Sequence, residues 1–342
     1  MNILIIGPSW VGDMVMAQTL FTVLKQRHPD CAIDVLAPEW SRPILERMPE
    51  VRRALSFPLG HGALELATRR RIGRSLKGQY DQAILLPNSL KSALVPFFAG
   101  IGTRTGWKGE MRYGLLNDIR TLDKQRYPLM IERFMALAYA PDAEIPQPYP
   151  RPSLRIDETS RSAALGKFGL SLDRPVLALC PGAEFGEAKR WPAQHYAKVA
   201  EAKIREGWQV WLFGSKSDHP GGEEIRGRLI PGLREEASNL AGETSLAEAI
   251  DLLSAASAVV SNDSGLMHVA LNRPLVAVYG STSPQFTPPL AEQVEIVRLG
   301  LDCSPCFERT CRFGHYNCLR DLKPQAVIEA LERLLPQPVE VQ

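Results

Sequence analysis

The chain has 342 residues, 45% of them hydrophobic and 23% charged, which is the size and composition of a soluble globular protein with two domains. No run approaches the roughly 20 apolar residues that cross a bilayer, and the polar residues after position 6 argue against a signal peptide. We therefore expect a cytoplasmic protein whose membrane contact, if it has any, is peripheral. Residues 1–150 carry 19 Lys and Arg against 14 Asp and Glu, so this half suits an acidic partner unless its cations are simply solvated.

Strand-like and helix-like segments alternate through the first 150 residues, a pattern typical of a parallel sheet flanked by helices. The predicted strands are 2–6, 33–36, 53–57, 82–86 and 104–106, and the predicted helices are 14–26, 62–77 and 128–140. Five prolines then fall between positions 141 and 152. Because proline lacks an N–H and restricts its neighbour, this stretch predicts a linker that ends a first domain, 1–150.

The alternation restarts after the linker and predicts a second domain of the same class, 151–323. Its predicted strands are 176–180, 209–213, 258–261 and 275–279, and its predicted helices are 193–206, 245–255 and 265–271. An amphipathic helix within 324–342 closes the chain. The fold class is therefore α/β, with two doubly wound domains that would hold a ligand in a cleft between the carboxyl ends of their sheets.

The segment GPSWVGD, from Gly7 to Asp13, directly follows the first predicted strand. It contains neither the dinucleotide fingerprint nor the Lys-Ser/Thr pair of a P-loop. Asp13 stands at the start of a helix and has two interpretations. It is either an N-cap, a position that favours aspartate, or a general base at the mouth of a ligand cleft.

The segment SNDSGLMH, from Ser261 to His268, joins a buried strand to a predicted helix. Free N–H groups and the helix dipole make such a turn an anion site, but the carboxylate of Asp263 repels phosphate. Asp263 fits sugar hydroxyls better, with Ser264, Gly265 and His268 at the phosphates. The combination predicts a nucleotide-sugar site.

Three further loops follow strands of the second domain. The first, PGAEFGEAKRWP from Pro181, contains Lys189 and Arg190, which either neutralise a departing diphosphate or face water on a surface loop. The loops that contain Ser215 and Thr244 are candidates for a base and ribose pocket, although ordinary turn chemistry explains their glycines equally well.

Four of the six cysteines form the pattern Cys303-x2-Cys306-x4-Cys311-x6-Cys318. Their spacing permits a four-thiolate zinc or iron site, with His315 as a substitute ligand. Reduced structural cysteines and disulfides are the alternatives. In each case the segment 303–318 is interpreted as a structural finger and not as the reaction centre.

A cationic rim is predicted from the loops around positions 88 and 104–113. It could hold a phosphorylated acceptor, and its aromatic residues could stack on sugar rings; its members are Lys91, Arg104, Trp107, Lys108, Arg112 and Tyr113. Five more cations, Arg69, Arg70, Arg71, Arg74 and Lys77, share one predicted helix and are interpreted as its solvated face. Aromatic residues are too sparse for a nucleic-acid groove, so that partner is excluded.

Taken together, the motifs resemble the ADP-heptose:lipopolysaccharide heptosyltransferases, and most of all their type II members. The matching stretches lie in both halves: GPSWVGDMVMAQTL from Gly7, PLGHGALEL from Pro58, LPNSLKSALVPFFAGI from Leu86, RTGWKGEMRYGLLND from Arg104, PGAEFGEAKRWP from Pro181 and SNDSGLMHVALNRPLVAVYGSTSP from Ser261. The linker and the cysteine segment match less clearly.

The resemblance implies a GT-B fold with the acceptor on the first Rossmann-like domain and the sugar nucleotide on the second. It implies an inverting transfer of L-glycero-D-manno-heptose from ADP-heptose to the first heptose of a phosphorylated lipid A-core acceptor at the inner membrane surface, without a catalytic metal or cofactor. Types I and III, which use other core acceptors, and a non-catalytic nucleotide-sugar-binding protein are the alternatives.

The resemblance also assigns roles to residues. Asp13 resembles the catalytic base, and Lys189 resembles the cation that stabilises the leaving ADP. The implied donor-binding residues are Gly182, Ala183, Ser215, Thr244, Asp263, Ser264, Gly265 and His268. The implied acceptor-binding residues are Ser9, Trp10, Gly12, Asn88, Lys91, Arg104, Trp107 and Arg112.

Overall fold

The computed structural model describes residues 1–58 and 64–335. The chain divides into two compact units, Met1–Arg155 and Ile156–Gln342, whereas the sequence predicts a boundary at position 150. The start of the predicted helix 62–77, part of the PLGHGALEL stretch and the tail 336–342 lie outside the described residues.

The first unit is built on one parallel sheet of six strands in the order β3-β2-β1-β4-β5-β6. Its elements in chain order are β1 (Asn2–Ile6), α1 (Val11–Arg27), β2 (Ala32–Pro38), α2 (Arg42–Leu45), β3 (Val51–Phe57), α3 (Leu66–Ser75), β4 (Gln82–Leu85), α4 (Leu94–Phe98), β5 (Thr103–Trp107), β6 (Asp118–Arg120) and α5 (Met130–Met135).

The second unit repeats the arrangement with the strand order β12-β11-β10-β7-β8-β9. Its elements are α6 (Glu158–Phe168), β7 (Val176–Cys180), α7 (Ala193–Arg205), β8 (Gln209–Leu212), α8 (His219–Arg228), β9 (Ala237–Asn239), α9 (Leu246–Leu253), β10 (Ala258–Asn262), α10 (Gly265–Val269), β11 (Leu275–Val278), β12 (Val294–Val297), α11 (Asn317–Arg320) and α12 (Pro324–Leu334).

Both sheets have the Rossmann strand order, which confirms the predicted α/β, GT-B-like class with two doubly wound sheets. In this order the chain winds outward from the first strand in one direction and then crosses over to wind in the other, and ligands bind at the carboxyl ends of the strands where the direction changes. The switch lies between β1 and β4 in the first unit and between β7 and β10 in the second. The loops that follow these four strands are therefore the expected binding loops.

The central strands explain why their positions were readable in the sequence. All residues of β7, β10 and β11 are buried, because helices cover both faces of a parallel sheet and its strands become continuous apolar runs. The edge strands β6, β9 and β12 escaped prediction, since they are short and only partly buried. Also missed were α2, α4 and α11, which are shorter than two turns, and the polar helices α6 and α8.

Within the described ranges, 1–58 and 64–335, no helix is both long enough and apolar enough to cross a membrane.

One buried carboxylate connects two strands of the first unit and the turn before β4. The side chain of Asp34 in β2 is fully buried and accepts hydrogen bonds from Arg52 Nη2 at 2.7 Å, Arg53 Nη2 at 2.6 Å and Tyr80 OH at 2.7 Å. Burial alone would raise the pKa of Asp34, but these hydrogen bonds outweigh it and the pKa lies below its ordinary value. Burial, together with the hydrogen bond to Asp34, raises the pKa of Tyr80 to about 12.

The Asp34 cluster predicts an acid-dependent part of the stability. Because the pKa of Asp34 is lower in the folded chain, its contribution is complete above the unfolded value of about 3.9 and is lost as the pH falls through the folded value. We expect Asp34→Asn to lower the free energy of unfolding at pH 7 by about 1–3 kcal/mol, towards the lower figure because both arginines are half-exposed. The variant should also lose part of the acid dependence.

Urea unfolding at pH 7 and at about pH 2.5, which is well below the unfolded pKa, measures both effects. Asp30→Asn is the matched control, since Asp30 lies exposed in the turn before β2. Equal unfolding midpoints for Asp34→Asn and the unsubstituted chain at pH 7 would contradict this account.

Candidate functional site

A cavity of about 760 Å³ lies in the first unit, at the carboxyl ends of β1 and β4. This volume suits a ligand the size of one or two sugar rings with their substituents. Among its lining residues are six predicted from the sequence: Ser9, Trp10, Asp13, Asn88, Lys91 and Trp107.

Asp13 reaches the cavity from the first turn of α1. The N-cap of this helix is Trp10, and the carboxylate of Asp13 belongs to the third helical residue, so the interpretation of Asp13 as an N-cap is wrong. A negative charge in the first helical turn is favoured by the helix dipole. A partly buried carboxylate is thus held in the wall of a cavity, where it can meet a ligand.

Arg112 fixes the loop after β4. It is almost fully buried, and its guanidinium donates to the carbonyl oxygen of Pro87 at 2.8 Å, to Asn88 Oδ1 at 3.4 Å and to the carbonyl oxygen of Trp107. Burial lowers the pKa of Arg112. Arg112 therefore holds three cavity residues in place and does not itself line the cavity.

Two other predicted acceptor residues are also absent from the cavity wall. Arg104 donates to the carbonyl oxygens of Leu115 at 2.6 Å and Ile101 at 2.5 Å, and Gly12 is buried within α1. The structure thus gives Arg104 and Arg112 backbone carbonyls as partners in place of the phosphates expected from the sequence.

Arg69 corrects a further expectation. The sequence placed it on a solvated helix face, but only 3% of Arg69 is exposed. Its guanidinium contacts the Phe57 ring at 4.8 Å and donates to the carbonyl oxygen of Lys91 at 3.0 Å. Arg70, Arg71, Arg74 and Lys77 are exposed as predicted. Arg69 lines the cavity beside Lys91, so the charge of this wall is more positive than the motifs suggested.

In the second unit, Asn262 joins the loops after β7 and β10. This side chain is fully buried. Its Oδ1 accepts from the backbone N–H of Trp191 at 3.2 Å and from Tyr196 OH at 3.0 Å, while its Nδ2 donates to the carbonyl oxygen of Pro181 at 2.6 Å. Every hydrogen-bonding direction but one of the amide is used, and the two binding loops are fixed relative to each other.

Next to Asn262 lies a buried ion pair. Lys189 Nζ is 2.7 Å from Asp263 Oδ2, and the two side chains are 14% and 4% exposed. Thr282 Oγ1 donates to the same oxygen at 2.5 Å. Lys189 and Asp263, which were predicted from two separate motifs, are thus in direct contact. The positive charge of Lys189 balances the negative charge of Asp263, which would otherwise repel a phosphate.

His268 lies nearby in α10 as a neutral imidazole. Burial lowers its pKa to about 4, and its Nδ1 has no hydrogen-bond partner in the part of the chain that the structure describes. A neutral ring can contact a diphosphate only through a hydrogen bond. The helix α10 has five residues, shorter than predicted, and Ser264 occupies its N-cap position.

Asp218 connects the other predicted donor loops. It accepts from Ser215 N at 2.9 Å and Ser215 Oγ at 2.7 Å, and it pairs with Arg190 at 3.1 Å. A β-carbon on Gly182 would lie 2.4 Å from the Asp218 carboxylate, so glycine alone fits there. The carbonyl oxygen of Ala183 accepts from Arg190, and Thr244 closes a turn on Leu240.

The cysteine segment surrounds a small cavity of about 20 Å³ lined by Cys303, Cys306, Cys311, Cys318 and His315. All six cysteines of the chain are free thiols, which overturns the disulfide alternative. Burial first, and then the neighbouring thiols, raises the pKa of Cys318. Among the described residues, however, no three Cys, His, Asp or Glu side chains converge closely enough to hold a metal ion.

Several residues of the site were not found from the sequence: Trp40, Phe57, Glu110, Arg133, Asp218 and Thr282. Glu110 and Thr282 lie inside stretches that match the family, but the sequence assigned no ligand role to any of the six. These residues can be recognised only from the folded structure, because the fold brings them to the carboxyl ends of the strands of a sheet.

Comparison with known proteins agrees with this geometry. The family model of glycosyltransferase family 9 (heptosyltransferase) matches residues 69–317. The chain is 53% identical to lipopolysaccharide heptosyltransferase 2 of Escherichia coli K12, over 98% of this chain and 99% of that protein. It is also 53% identical to lipooligosaccharide heptosyltransferase 2 of Haemophilus influenzae, with the same coverage.

Among solved structures, the ADP-heptose LPS heptosyltransferase II of E. coli matches with a TM-score of 0.89 and 51% identity over 98% of each chain. The sequence identity and the fold agree over 98% of the chain, and the family match covers residues 69–317 of it. This protein therefore belongs to glycosyltransferase family 9, the heptosyltransferases, and is a glycosyltransferase.

Proposed function

We propose that the chain transfers L-glycero-D-manno-heptose from ADP-heptose to the first heptose of the lipopolysaccharide inner core, with inversion at the anomeric carbon. The observation that carries the proposal is the Lys189–Asp263 pair at the carboxyl ends of β7 and β10, because a cation and a carboxylate lie together at the strand ends where ligands bind in this fold. The similarity to heptosyltransferases of type 2 supports the choice of donor and acceptor.

On the donor side, we assign Asp263 to the heptose hydroxyls and Lys189 to the diphosphate. Negative charge grows on the diphosphate as the glycosidic bond breaks, so a cation placed there stabilises the transition state more than the ground state. Ser264, Gly265 and neutral His268 hydrogen-bond the diphosphate in this proposal, and the loops of Gly182, Ala183, Ser215 and Thr244 hold the ribose and adenine. Lys189 supplies positive charge of its own, so the mechanism uses no catalytic metal or cofactor.

On the acceptor side, we assign the cavity of the first unit to the inner core. Trp10, Trp40 and Trp107 in its wall offer apolar faces for sugar rings. Lys91 lines the same wall, and its ammonium has no side-chain or backbone partner among the described residues. A free ammonium in a cavity suits a phosphorylated acceptor, and we propose that Lys91 takes that role.

The chemistry follows from these assignments. Asp13 accepts the proton of the acceptor hydroxyl, and the oxygen attacks the anomeric carbon on the face opposite to ADP. The new carbon–oxygen bond forms as the bond between the anomeric carbon and the β-phosphate oxygen breaks. The electron pair of the breaking bond leaves with ADP. Since the acceptor is anchored in a lipid, we place the reaction at the cytoplasmic surface of the inner membrane, with the enzyme bound there peripherally.

We further propose that the cysteine segment 303–318 binds a structural zinc or iron ion. Four free thiols and His315 line one cavity of about 20 Å³, which is room for one small ion. Thiolate ligands suit both metals. Since the thiols do not yet converge on one point, binding requires their side chains to rotate inward.

The acceptor assignment predicts which truncated core is a substrate. With ADP-heptose as donor, we expect transfer to a core that ends in one heptose and none to a core that lacks heptose. Mass spectrometry of the core and ADP release measure the reaction together. Transfer to the heptose-free core would indicate a type I enzyme, transfer only to a longer core a type III enzyme, and binding without ADP release a non-catalytic protein; each outcome contradicts the proposal.

The role of Asp13 is tested by Asp13→Asn, which keeps the shape of the side chain and removes the base. We expect kcat to fall by about 10²–10⁴, the usual contribution of a general base, while the affinity for ADP-heptose changes little. Glu110→Gln is the control, because Glu110 lines the same cavity but accepts the Leu90 N–H at 2.6 Å. A nearly normal kcat in Asp13→Asn, or an equal loss in Glu110→Gln, would refute the assignment.

The metal proposal predicts about one equivalent of zinc or iron in the purified protein, measured by elemental analysis. Cys303→Ser combined with Cys306→Ser should abolish binding, since a tetrahedral site needs four ligands. Cys31→Ser is the control, because Cys31 is a buried thiol of the first unit. Metal-free wild-type protein that does not take up either ion on titration would overturn the proposal.

A further inference from the structure

The loop that contains Lys189 is anchored by the cysteine segment. The Ala188 N–H donates to the carbonyl oxygen of Arg309 at 3.1 Å. A β-carbon on Gly186, whose φ is +153°, would lie 2.4 Å from the same oxygen, so glycine is needed for this close approach. The backbone of Arg309 thus lies against the residues just before Lys189.

The neighbouring loop is anchored by the same segment. The N–H groups of Cys306 and Phe307 both donate to the carbonyl oxygen of Ser281, at 3.0 and 2.7 Å. Ser281 precedes Thr282, which donates to Asp263. The loops that supply Lys189 and Thr282 to the buried Asp263 carboxylate are therefore both positioned by backbone contacts from the cysteine segment.

The side chains of Arg309 and Lys189 both contact the aromatic ring of Phe185. The Arg309 guanidinium carbon is 5.4 Å from the centroid of the Phe185 ring, and Lys189 Nζ is 4.9 Å from the same centroid. Two cations thus share one ring, whose face attracts positive charge. The carboxylate of Asp263 already has Lys189 as its partner, so a second cation on the ring that Lys189 contacts adds net positive charge to this loop.

Among the described residues, no carboxylate forms an ion pair with Arg309. This arginine is exposed, and its guanidinium makes no hydrogen bond or ion pair with any residue that the structure describes. All five of its N–H donors are available, in a planar fork that matches a phosphate oxygen pair. Lys189, by contrast, is a single ammonium already engaged by Asp263.

We propose that Arg309 is a second cation for the diphosphate of the sugar nucleotide, held beside Lys189 by the Phe185 ring. This inference rests on the proposed donor site. The Arg309 backbone positions the Lys189 loop, and its guanidinium binds the diphosphate, so that the negative charge of the leaving group is shared between a buried lysine and an exposed arginine. In this proposal the cysteine segment has more than a structural role, because it contributes the binding residue Arg309 to the donor site.

The two roles of Arg309 can be separated, because any residue retains the backbone carbonyl. We expect Arg309→Gln to raise the KM for ADP-heptose and the Kd for ADP about tenfold, the effect of one lost charge-assisted contact. Binding of adenosine, which has no phosphate, should not change. Arg309→Lys should restore affinity to within about threefold, since it restores the charge. Kinetics and calorimetry give these values, and thermal unfolding checks that each variant is folded.

Arg312→Gln is the matched control, because Arg312 stacks on Phe313 at 5.0 Å in the same segment and has the same charge. If Arg309→Gln binds ADP as the wild type does, or if Arg312→Gln weakens ADP equally, the inference is overturned. An equal loss of adenosine and ADP binding would also overturn it, since that would indicate a structural effect. The proposed function fails in a different way, when wild-type protein does not turn over ADP-heptose.

Discussion

The strand order of each sheet determines which loops of this chain are positioned to bind a ligand. After β1 and again after β7 the strand order reverses, and the loops that follow neighbouring strands there diverge and leave backbone groups open to a ligand. The segments Gly7–Asp13 and Ser261–His268 follow two of the four switch-point strands. The same topological constraint in both units therefore explains the position of the 760 Å³ cavity in the first unit and of the Lys189–Asp263 pair in the second.

A buried charge in the second unit is tolerated because its surroundings compensate it. Asp263 would be costly to bury alone, since an unpaired carboxylate loses several kcal/mol of hydration. Lys189 and Thr282 share one of its oxygens, and Asn262 holds together the loops after β7 and β10. Such a pair is a poor source of stability compared with apolar packing. Its presence at a binding edge is explained by function better than by folding.

The apolar runs of β1, β7, β10 and β11 could be read from the sequence, because burial on both faces leaves a continuous signal. The roles of the arginines could not be read. Arg104 and Arg112 have the charge and the neighbours of a phosphate site, yet they donate to backbone carbonyls, and Arg69 is buried against Phe57. Whether a guanidinium hydrogen-bonds to a carbonyl, packs on a ring or binds a ligand depends on residues distant in sequence. Thr282 and Asp218 were missed for the same reason.

The claim at the centre of this account is that Lys189 serves the leaving group and does not merely neutralise Asp263. The most direct test is the turnover of Lys189→Met, Asp263→Asn and the double variant, with thermal unfolding measured alongside. Lys189→Met alone should lose stability, because it leaves a buried carboxylate unpaired, and the double variant should recover it. The account predicts that the double variant is at least about a hundredfold slower than Asp263→Asn alone, as expected when a group that stabilises transition-state charge is removed. A stable double variant that turns over as fast as Asp263→Asn would contradict it.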